Sequence, residues 1–279
     1  MPAVKASGLL GDTPARDYAH KLALFNEFAA PEIRDVIHNL RLLPGMAVLD
    51  AGCGTGHALG WLQEAVAPSG LVIGMDLASA HTATARQLAD RHVSVLQAQL
   101  LHPPLRSASF DLVWCANTIH HLRDPLAGAM ALKGLLRTGG RLVLAQSALV
   151  PELVFAWDAG LERRVADAVR RYYQHRYALE DNDLSAVRNI VGLARRTQLH
   201  NIKVHTLMIE RISPLSPLDH SYLLDAIFRG TWGERLRPYL AGDDFAELER
   251  LCDPSHCAFA LSRPDFHFAQ SLTIVAGTS

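Results

Sequence analysis

The chain has 279 residues, a formal net charge of −1 at pH 7, 49% hydrophobic residues and 20% charged residues. This length accommodates one large domain, or a core domain with an elaboration, and the composition is that of an ordinary globular protein. The near-neutral charge provides no overall field that would attract nucleic acid or an anionic membrane. No apolar run approaches the roughly 20 residues of a membrane span and no signal peptide opens the chain, so we expect a cytoplasmic protein.

The N-terminal part of the chain predicts two helices. The first runs from Asp17 to Ala29, where Leu22, Phe25 and Ala29 share one face. The second starts at Pro31 and ends before Pro44-Gly45, a strong helix stop. We therefore separate an N-terminal segment, residues 1–30, from a core that begins at residue 31.

The stretch from Val48 to Gly56 organises the rest of the chain. An apolar run meets a carboxylate at Asp50, and a Gly-x-Gly-x-Gly turn follows it directly. A helical segment over residues 57–66 comes next, and a second apolar run then ends in Asp76. This succession of strand, glycine turn, helix and strand is typical of the first half of a nucleotide-type site in an open parallel sheet.

Two features of this unit indicate which ligand it accepts. Asp76 lies 20 residues past Gly56, the distance at which a carboxylate accepts hydrogen bonds from ribose hydroxyls, so a dinucleotide site is the first rival. However, His57 replaces the third glycine of the dinucleotide pattern, and Asp50 stands where a pyrophosphate would dock. A carboxylate repels phosphate and attracts an ammonium or sulfonium group. The sequence therefore predicts a nucleoside with a cationic tail, and S-adenosylmethionine fits that description.

Three further strands complete a βαβαβαβαβ order. We predict a helix over residues 78–91, strands at Val93–Gln97, Phe110–Cys115 and Arg141–Gln146, and a helix that starts at Asp124-Pro125. Ligands bind beyond the carboxyl ends of such strands, so Cys115, Ala116 and Asn117 are expected to face the ligand.

The second half of the chain is expected to be largely helical. We predict helices over residues 148–176 and 182–199, and a strand at Ile202–Ile212 that pairs with a last strand at Gln270–Ala276. Some 55 residues separate these two strands where a hairpin needs only a few, so the segment between them is interpreted as helices over the mouth of the site. The segment Cys252–Cys257 suggests zinc, but it lacks a second ligand pair at a typical spacing, so no metal is expected.

The motif around Asp50 resembles that of the class I S-adenosylmethionine-dependent methyltransferases, particularly the ubiquinone and menaquinone biosynthesis enzymes and many natural-product enzymes. The resemblance is close over residues 15–147 and loose over residues 187–212 and 267–277. It implies an α/β fold: a doubly wound, mostly parallel, seven-stranded, Rossmann-like sheet, with S-adenosyl-L-methionine as cofactor. It also implies a core over residues 31–147 and a remainder over residues 148–279, which carries cap insertions at about 148–186 and 213–266.

The resemblance assigns residues to the cofactor one by one. Gln99 stands where the family normally has an acid, and its carbonyl oxygen can still accept from an adenine amino group. The N-terminal helix either covers the cofactor, with Tyr18 near the methionine carboxylate, or is a surface amphipathic helix. The residues implied to bind the cofactor are Tyr18, Asp50, Gly52, Cys53, Gly54, Thr55, Gly56, Asp76, Leu77, Gln99, Leu100, Cys115, Ala116, Asn117 and His120.

These observations predict methylation of a small, largely apolar acceptor, by O- or C-methylation in secondary-metabolite or quinone-like biosynthesis. Aromatic residues in both insertions are the basis for the apolar acceptor. A general base would help a hydroxyl or phenol acceptor, and the catalytic candidates are His120, His20 and Tyr18, with His175 and His205 further afield. The alternative is a methyltransferase-fold protein that binds the cofactor but catalyses a cyclisation or regulates. Nucleic acid is not expected as a partner, and a homo-oligomer stays open.

Overall fold

The computed structural model describes residues 19–90, 92–147, 154–155, 157–177 and 189–279. The chain divides into two compact units. The described part of unit 1 lies within residues 1–146, 185–206 and 273–279, and that of unit 2 lies within residues 147–184 and 207–272. None of the described helices combines the length and apolar character that a membrane crossing needs.

Five strands form the parallel part of the sheet, and neighbouring strands pair in the order β3-β2-β1-β4-β5. Parallel strands are covered on both faces, which explains why their sequences are nearly continuous apolar runs. Val48 and Leu49 in β1 have no exposed surface. The strands are β1 Ala47–Ala51, β2 Leu71–Asp76, β3 Val93–Gln97, β4 Phe110–Ala116 and β5 Leu136–Ser147.

The strand order places the candidate site. The chain moves from β1 outward to β2 and β3, and then returns to the other side of β1 for β4 and β5. The order therefore reverses between β1 and β4, and open α/β sheets bind ligands beyond the carboxyl ends of strands at such a point. In register, Asp50 at the end of β1 lies beside Gly74 on β2 and Trp114 on β4.

The helices α1 to α5 start close to the predicted positions, whereas the predicted start of the helix over residues 182–199 lies outside the described residues. At the start of α5 the Asp124 carboxylate accepts a hydrogen bond from Ala127 N at 2.9 Å, with Pro125 in the first turn, which confirms the predicted helix start. The described helices of this unit are α1 Ala19–Phe28, α2 Ala30–Asn39, α3 His57–Val66, α4 Ser79–Leu88, α5 Pro125–Gly134 and α7 Ile190–Arg196.

The last two long strands, β7 His200–Ile212 and β8 His267–Thr278, pair with each other as predicted. The α/β, doubly wound, mostly parallel sheet is confirmed, but it has an eighth strand that was not predicted. This two-residue strand, β6 Val154–Phe155, pairs antiparallel with β8 and lies inside the segment predicted as a helix over residues 148–176. The prediction was wrong there because β8 offers pairing to a β-branched and an aromatic residue, a long-range contact that helical periodicity does not register. Helix α6 instead runs from Ala159 to Tyr177.

Unit 2 is mainly helical in its described part. Its aromatic core stacks Phe228 on Trp232 with ring centroids 5.3 Å apart, and Trp157 lies 5.2 Å from Trp232. The Arg164 guanidinium donates two hydrogen bonds, of 2.7 and 2.8 Å, to the Asp244 carboxylate. Besides α6, this unit contains α8 Pro217–Ser221, a π-helix Tyr222–Arg229, a 3-10 helix Gly233–Tyr239 and α9 Gly242–Cys252.

Candidate cofactor-binding site

The glycine turn after β1 has a backbone that only glycine adopts without strain. Gly52, Gly54 and Gly56 have φ angles of +82°, +52° and +93°. A Cβ atom on Gly52 would lie 2.2 Å from Thr118 Oγ1, and one on Gly56 would lie 2.9 Å from the Cβ of Ala85. The first and third glycines therefore permit close packing, whereas a Cβ atom on Gly54 would make an ordinary contact with Leu22 Cδ1 at 3.6 Å.

Asp50 is the most unusual group of the site. Its side chain is buried, with 2% of the residue exposed, and its Oδ2 has no hydrogen-bond partner among the described residues. Burial, together with the negative charge of Asp76, raises the pKa of this carboxyl to about 8. A buried, incompletely satisfied carboxyl is costly unless a partner satisfies it. The site therefore fits a cationic hydrogen-bond donor such as an ammonium group.

Asp76, at the end of β2, holds the turn in place. Its Oδ2 accepts a hydrogen bond from Gly54 N at 2.9 Å, and its Oδ1 accepts one from Ala78 N at 2.9 Å. The buried His81 places Nδ1 3.3 Å from the same Oδ1. Leu77, next in the chain, accepts from the side chain of Gln97 through its carbonyl oxygen at 3.0 Å. The sequence analysis missed His81, since a histidine five residues after the acid is no signal by itself.

The start of α3 adds a small polar group to the turn. Thr55 Oγ1 lies 3.1 Å from His57 Nδ1, and Asn26 Nδ2 of α1 lies 3.4 Å from the same nitrogen. Burial lowers the pKa of His57. The neighbouring Cys53 thiol is buried, and burial followed by the charges of Asp50 and Asp76 raises its pKa, so it stays protonated.

The residues assigned to adenine follow β3. Gln99 is half-buried. Its main-chain carbonyl oxygen accepts a hydrogen bond from His102 N at 3.2 Å, which closes the turn after β3. Leu100 is 8% exposed and packs in the main apolar core of unit 1. Both lie beyond the carboxyl end of β3, and their contact with adenine stays a prediction.

Beyond β4, a chain of side-chain amides leads to a histidine. Asn117, with φ of +49°, accepts a hydrogen bond at Oδ1 from Gln146 Nε2 at 2.9 Å, and Gln146 Oε1 lies 2.9 Å from His120 Nδ1. Burial lowers the pKa of His120, and burial together with His120 lowers that of His121 well below its usual range. The sequence analysis missed Gln146, because its place in this group depends on the pairing of β4 with β5.

The last two residues of β4, Cys115 and Ala116, lie beside this group of side chains. Burial and the charge of Asp50 raise the pKa of the Cys115 thiol to about 12. Ala116, the last residue of β4, accepts from Thr118 Oγ1 at 2.8 Å, and Thr118 also contacts Gly52. The end of β4 and the glycine turn are therefore joined through one threonine.

Among the general-base candidates that lie in the described residues, the structure brings His120 alone into this cluster. His120 is there, whereas His20 is exposed on α1, His205 is exposed on β7, and His175 lies 3.1 Å from the Tyr239 hydroxyl in unit 2. Tyr18 lies outside the described residues. Within the described ranges, no three His, Cys, Asp or Glu side chains are grouped so that they could hold a metal ion.

Comparison with protein families supports the interpretation of this geometry. Residues 49–144 match a family model described as a methyltransferase domain. The matched range starts at the residue before Asp50 and contains the glycine turn, Asp76 and the His120 segment.

Curated relatives share the same part of the chain. Nocamycin O-methyltransferase of Saccharothrix syringae is 33% identical over 149 residues, 51% of this chain and 53% of the relative. 27-O-demethylrifamycin SV methyltransferase of Amycolatopsis mediterranei is 34% identical over 136 residues, 47% of this chain and 46% of the relative. A tRNA U34 carboxymethyltransferase of Methylococcus capsulatus is 37% identical over 122 residues, 39% of this chain and 37% of the relative. The chain thus spans about half, or less, of the relatives it matches.

Solved structures extend the similarity of the fold over nearly the whole chain. The YcgJ protein from Bacillus subtilis has a TM-score of 0.57 at 17% identity, covering 87% of this chain and 96% of its own. The [4+2]-cyclase SpnF has a TM-score of 0.53 at 14% identity, covering 100% of this chain and 99% of its own. At these identities the likeness concerns the fold alone. Residues 49–144 are therefore similar to a methyltransferase domain, and the fold around them is that of the solved structures.

Proposed function

We propose that the chain is an S-adenosylmethionine-dependent methyltransferase that acts on a small, largely apolar acceptor. The observation that carries the proposal is the buried carboxyl of Asp50, which directly precedes the glycine turn. Its Oδ2 has no hydrogen-bond partner among the described residues. A phosphate at this point would meet a carboxylate, whereas an ammonium group would satisfy it. The match of residues 49–144 to a methyltransferase domain supports the same ligand.

Each part of the ligand has a corresponding group in unit 1. Asp50 would accept from the amino group of the methionine tail, and Asp76, held by Gly54 N and Ala78 N, would accept from ribose hydroxyls. Gln99 and Leu100 would face the adenine. When bound, S-adenosylmethionine supplies an electrophilic methyl group on a sulfonium, and this chemistry belongs to the cofactor.

The protein's own contribution is to position the acceptor, exclude water and take up a proton. His120 is suited to the last role because burial lowers its pKa, which keeps the ring neutral and able to accept a proton near pH 7. A hydroxyl or phenol acceptor would lose its proton to His120, whereas an electron-rich carbon acceptor would need positioning above all. This part of the proposal favours O- or C-methylation.

Unit 2 supports an apolar acceptor. It contains a cavity of about 340 Å³, within the range of small-ligand pockets. The cavity is lined by apolar and charged side chains in equal number: Trp157, Leu161, Leu251 and Ala258, and Asp158, Glu247, Arg250 and Arg263. Both arginines are paired with carboxylates, at Glu247 and Asp265, so the lining carries little net charge. Two of the curated relatives are named for methylation of the natural products nocamycin and rifamycin, which favours secondary metabolism.

The first experiment measures ligand choice by isothermal titration calorimetry. The purified chain is titrated with S-adenosylmethionine, S-adenosylhomocysteine and NAD. The Asp50→Ala variant is titrated with the same three ligands in parallel. We expect micromolar binding of the two sulfur nucleosides, no binding of NAD, and loss of binding in the variant. The matched control is Asp35→Asn, an exposed carboxylate on α2, which should bind as the unchanged protein does. Binding of NAD with indifference to S-adenosylmethionine would refute the proposal.

The second experiment measures turnover. Panels of phenols, quinols and polyketide alcohols are incubated with the protein, and S-adenosylhomocysteine release is followed together with product mass. A gain of 14 mass units in one acceptor class, about the mass of a CH₂ group, identifies the substrate class. A bulk tRNA sample is included because one relative is named for a tRNA. Release stimulated by tRNA but by none of the small acceptors would overturn the small-molecule proposal.

A second function keeps the cofactor but not the transfer. The fold similarity to the [4+2]-cyclase SpnF over the full chain is the observation that favours it. The two functions differ in a simple readout: a cyclase converts its substrate to an isomer of equal mass while S-adenosylmethionine remains unconsumed.

A further inference from the structure

We propose that Gln146 is a positioning residue that fixes the tautomer of His120, so that His120 Nε2 carries the lone pair that receives a proton. The catalytic consequence rests on the proposed methyltransferase function, but the tautomer itself does not. Gln146 is the next-to-last residue of β5 and is 3% exposed. Its two amide atoms face in two directions, one to Asn117 and the other to His120.

The orientation of the Gln146 amide follows from its hydrogen bonds with Asn117 and His120. Gln146 Nε2 donates to Asn117 Oδ1 at 2.9 Å, which directs Gln146 Oε1 toward His120. An amide oxygen can only accept, so the His120 nitrogen 2.9 Å away must be the donor. His120 is therefore protonated at Nδ1. In a neutral imidazole the other nitrogen, Nε2, then has no proton and is the acceptor.

The surroundings of His120 make this tautomer matter. The His121 ring, with its centroid 4.0 Å away, faces His120, and His81 adds a repulsive effect on His121. Burial favours the neutral form of both rings. With a neutral ring, the direction of its one lone pair decides whether a proton can be accepted at all, and this direction is what an amide partner sets.

In the proposed reaction, His120 takes up one proton from the acceptor and later releases it. An acceptor hydroxyl would lose its proton to His120 Nε2, and the ring would become an imidazolium with N–H groups at both positions. Gln146 Oε1 accepts from Nδ1–H before and after this transfer, so no rotation of either side chain is required. The proton then returns from Nε2 to solvent. A reversed amide would present an NH₂ group to Nδ1, placing the proton on Nε2 and removing the acceptor from the reacting side.

The test is a ¹⁵N–¹H correlation spectrum of the histidine rings in the whole uniformly labelled chain, without ligand, at pH 7. The signals of His120 are identified as those missing in His120→Asn. We expect the unchanged protein to show a protonated Nδ1 and an unprotonated Nε2 at His120. Gln146→Leu should shift the ring toward the tautomer with a protonated Nε2, and Gln146→Glu, which keeps an acceptor, should retain the original tautomer and raise the His120 pKa.

Asn117→Gly provides a second variant that does not alter Gln146. Glycine tolerates the φ of +49° at this position and removes the Oδ1 acceptor that fixes the original orientation of the Gln146 amide, so a mixture of tautomers is expected. Circular dichroism and thermal melts check that each variant is folded. If His120 carries its proton on Nε2 in the unchanged protein, or keeps its tautomer in both Gln146→Leu and Asn117→Gly, the proposal fails.

Turnover separates this proposal from the proposed function. With a hydroxyl acceptor, Gln146→Leu should lower kcat about 10-fold, within the usual contribution of general-base catalysis, and leave the KM for S-adenosylmethionine unchanged. Gln146→Glu should recover most of the loss and shift the rising limb of the pH–rate profile to higher pH. If the tautomers behave as expected but no acceptor is methylated, the methyltransferase function falls and the positioning role of Gln146 stands.

Discussion

The glycine turn of unit 1 and the aromatic core of unit 2 treat buried polarity in opposite ways. Unit 1 buries a carboxyl, Asp50, with an oxygen that lacks a partner among the described residues, and burial raises its pKa to about 8. Unit 2 buries large apolar rings such as Phe228 and pairs its charges in exposed ion pairs such as Arg164 with Asp244. The difference indicates that unit 1 loses folding stability at its ligand site, because it buries an ionisable group there. The described part of unit 2 gains folding stability from its buried aromatic rings.

Asp50→Asn should break this contrast with the largest effect. The Asp50 pKa rises from 3.8 unfolded to about 8 folded, so stability present below pH 4 is lost as the pH rises toward 8. The neutral amide does not incur this loss. At pH 9, without ligand, the variant should therefore exceed the unchanged protein by about 3–5 kcal/mol in the free energy of unfolding, and near pH 4 by almost nothing.

The measurement is urea unfolding at pH 4, 7 and 9, with Asp35→Asn as the exposed control. Affinity should change in the opposite direction, since the amide cannot neutralise an ammonium group: we expect at least 100-fold weaker binding of S-adenosylmethionine, about 3 kcal/mol. A variant that is less stable at pH 9 than the unchanged protein would show that Asp50 already has a stabilising partner.

Phe228→Ala tests the other side of the comparison. Phe228 is 1% exposed and stacks on Trp232 at 5.3 Å, so truncation should cost about 3–5 kcal/mol of unfolding free energy. Phe228→Leu should cost less than half of that. Because no residue assigned to the cofactor lies in unit 2, binding of S-adenosylmethionine measured at 10 °C, below the melting transition, should be unchanged. A parallel loss of affinity would mean that the site in unit 1 depends on unit 2.

Gly52→Ala addresses the backbone of the turn. The added Cβ would approach Thr118 to 2.2 Å at a φ of +82°, which should destabilise the protein by about 2–3 kcal/mol. The matched control is Gly134→Ala in α5, where a Cβ meets nothing within 4 Å and should stabilise by up to about 1 kcal/mol. Thermal melts of both variants provide the comparison. Equal melting temperatures would show that the turn relaxes without cost.

The elements around this site were predictable because their signals are local. Strand β3 and helix α3 occupy the predicted ranges, since a glycine turn, an apolar run and a proline punctuate the sequence within a few residues. Gln146 was not predictable as a site residue because its position depends on the pairing of β4 with β5, which aligns Ala116 with Ala145 and so brings Gln146 beside Asn117. Strand β6 was missed for the same reason, as it exists only through its pairing with β8.

The pH dependence of ligand binding should distinguish the effect of Asp50 on folding stability from its role in ligand binding. It is the smallest of the expected effects. A cationic tail binds the ionised carboxylate, so below pH 8 binding must displace a proton, and affinity for S-adenosylmethionine should rise about tenfold per unit from pH 6 toward 8. Above pH 8 affinity should fall, because the ligand's own amino group loses its proton near there. Calorimetry at pH 6.5 in buffers of different ionisation enthalpy should report the release of about one proton per ligand bound, and in Asp50→Asn close to none. Proton release that persists in Asp50→Asn would assign it to another group, and a flat affinity from pH 6 to 8 would mean that Asp50 is ionised without the ligand. In that case the Asp50 carboxylate would attract the cationic tail without releasing a proton, and it would not weaken the free fold as the pH rises.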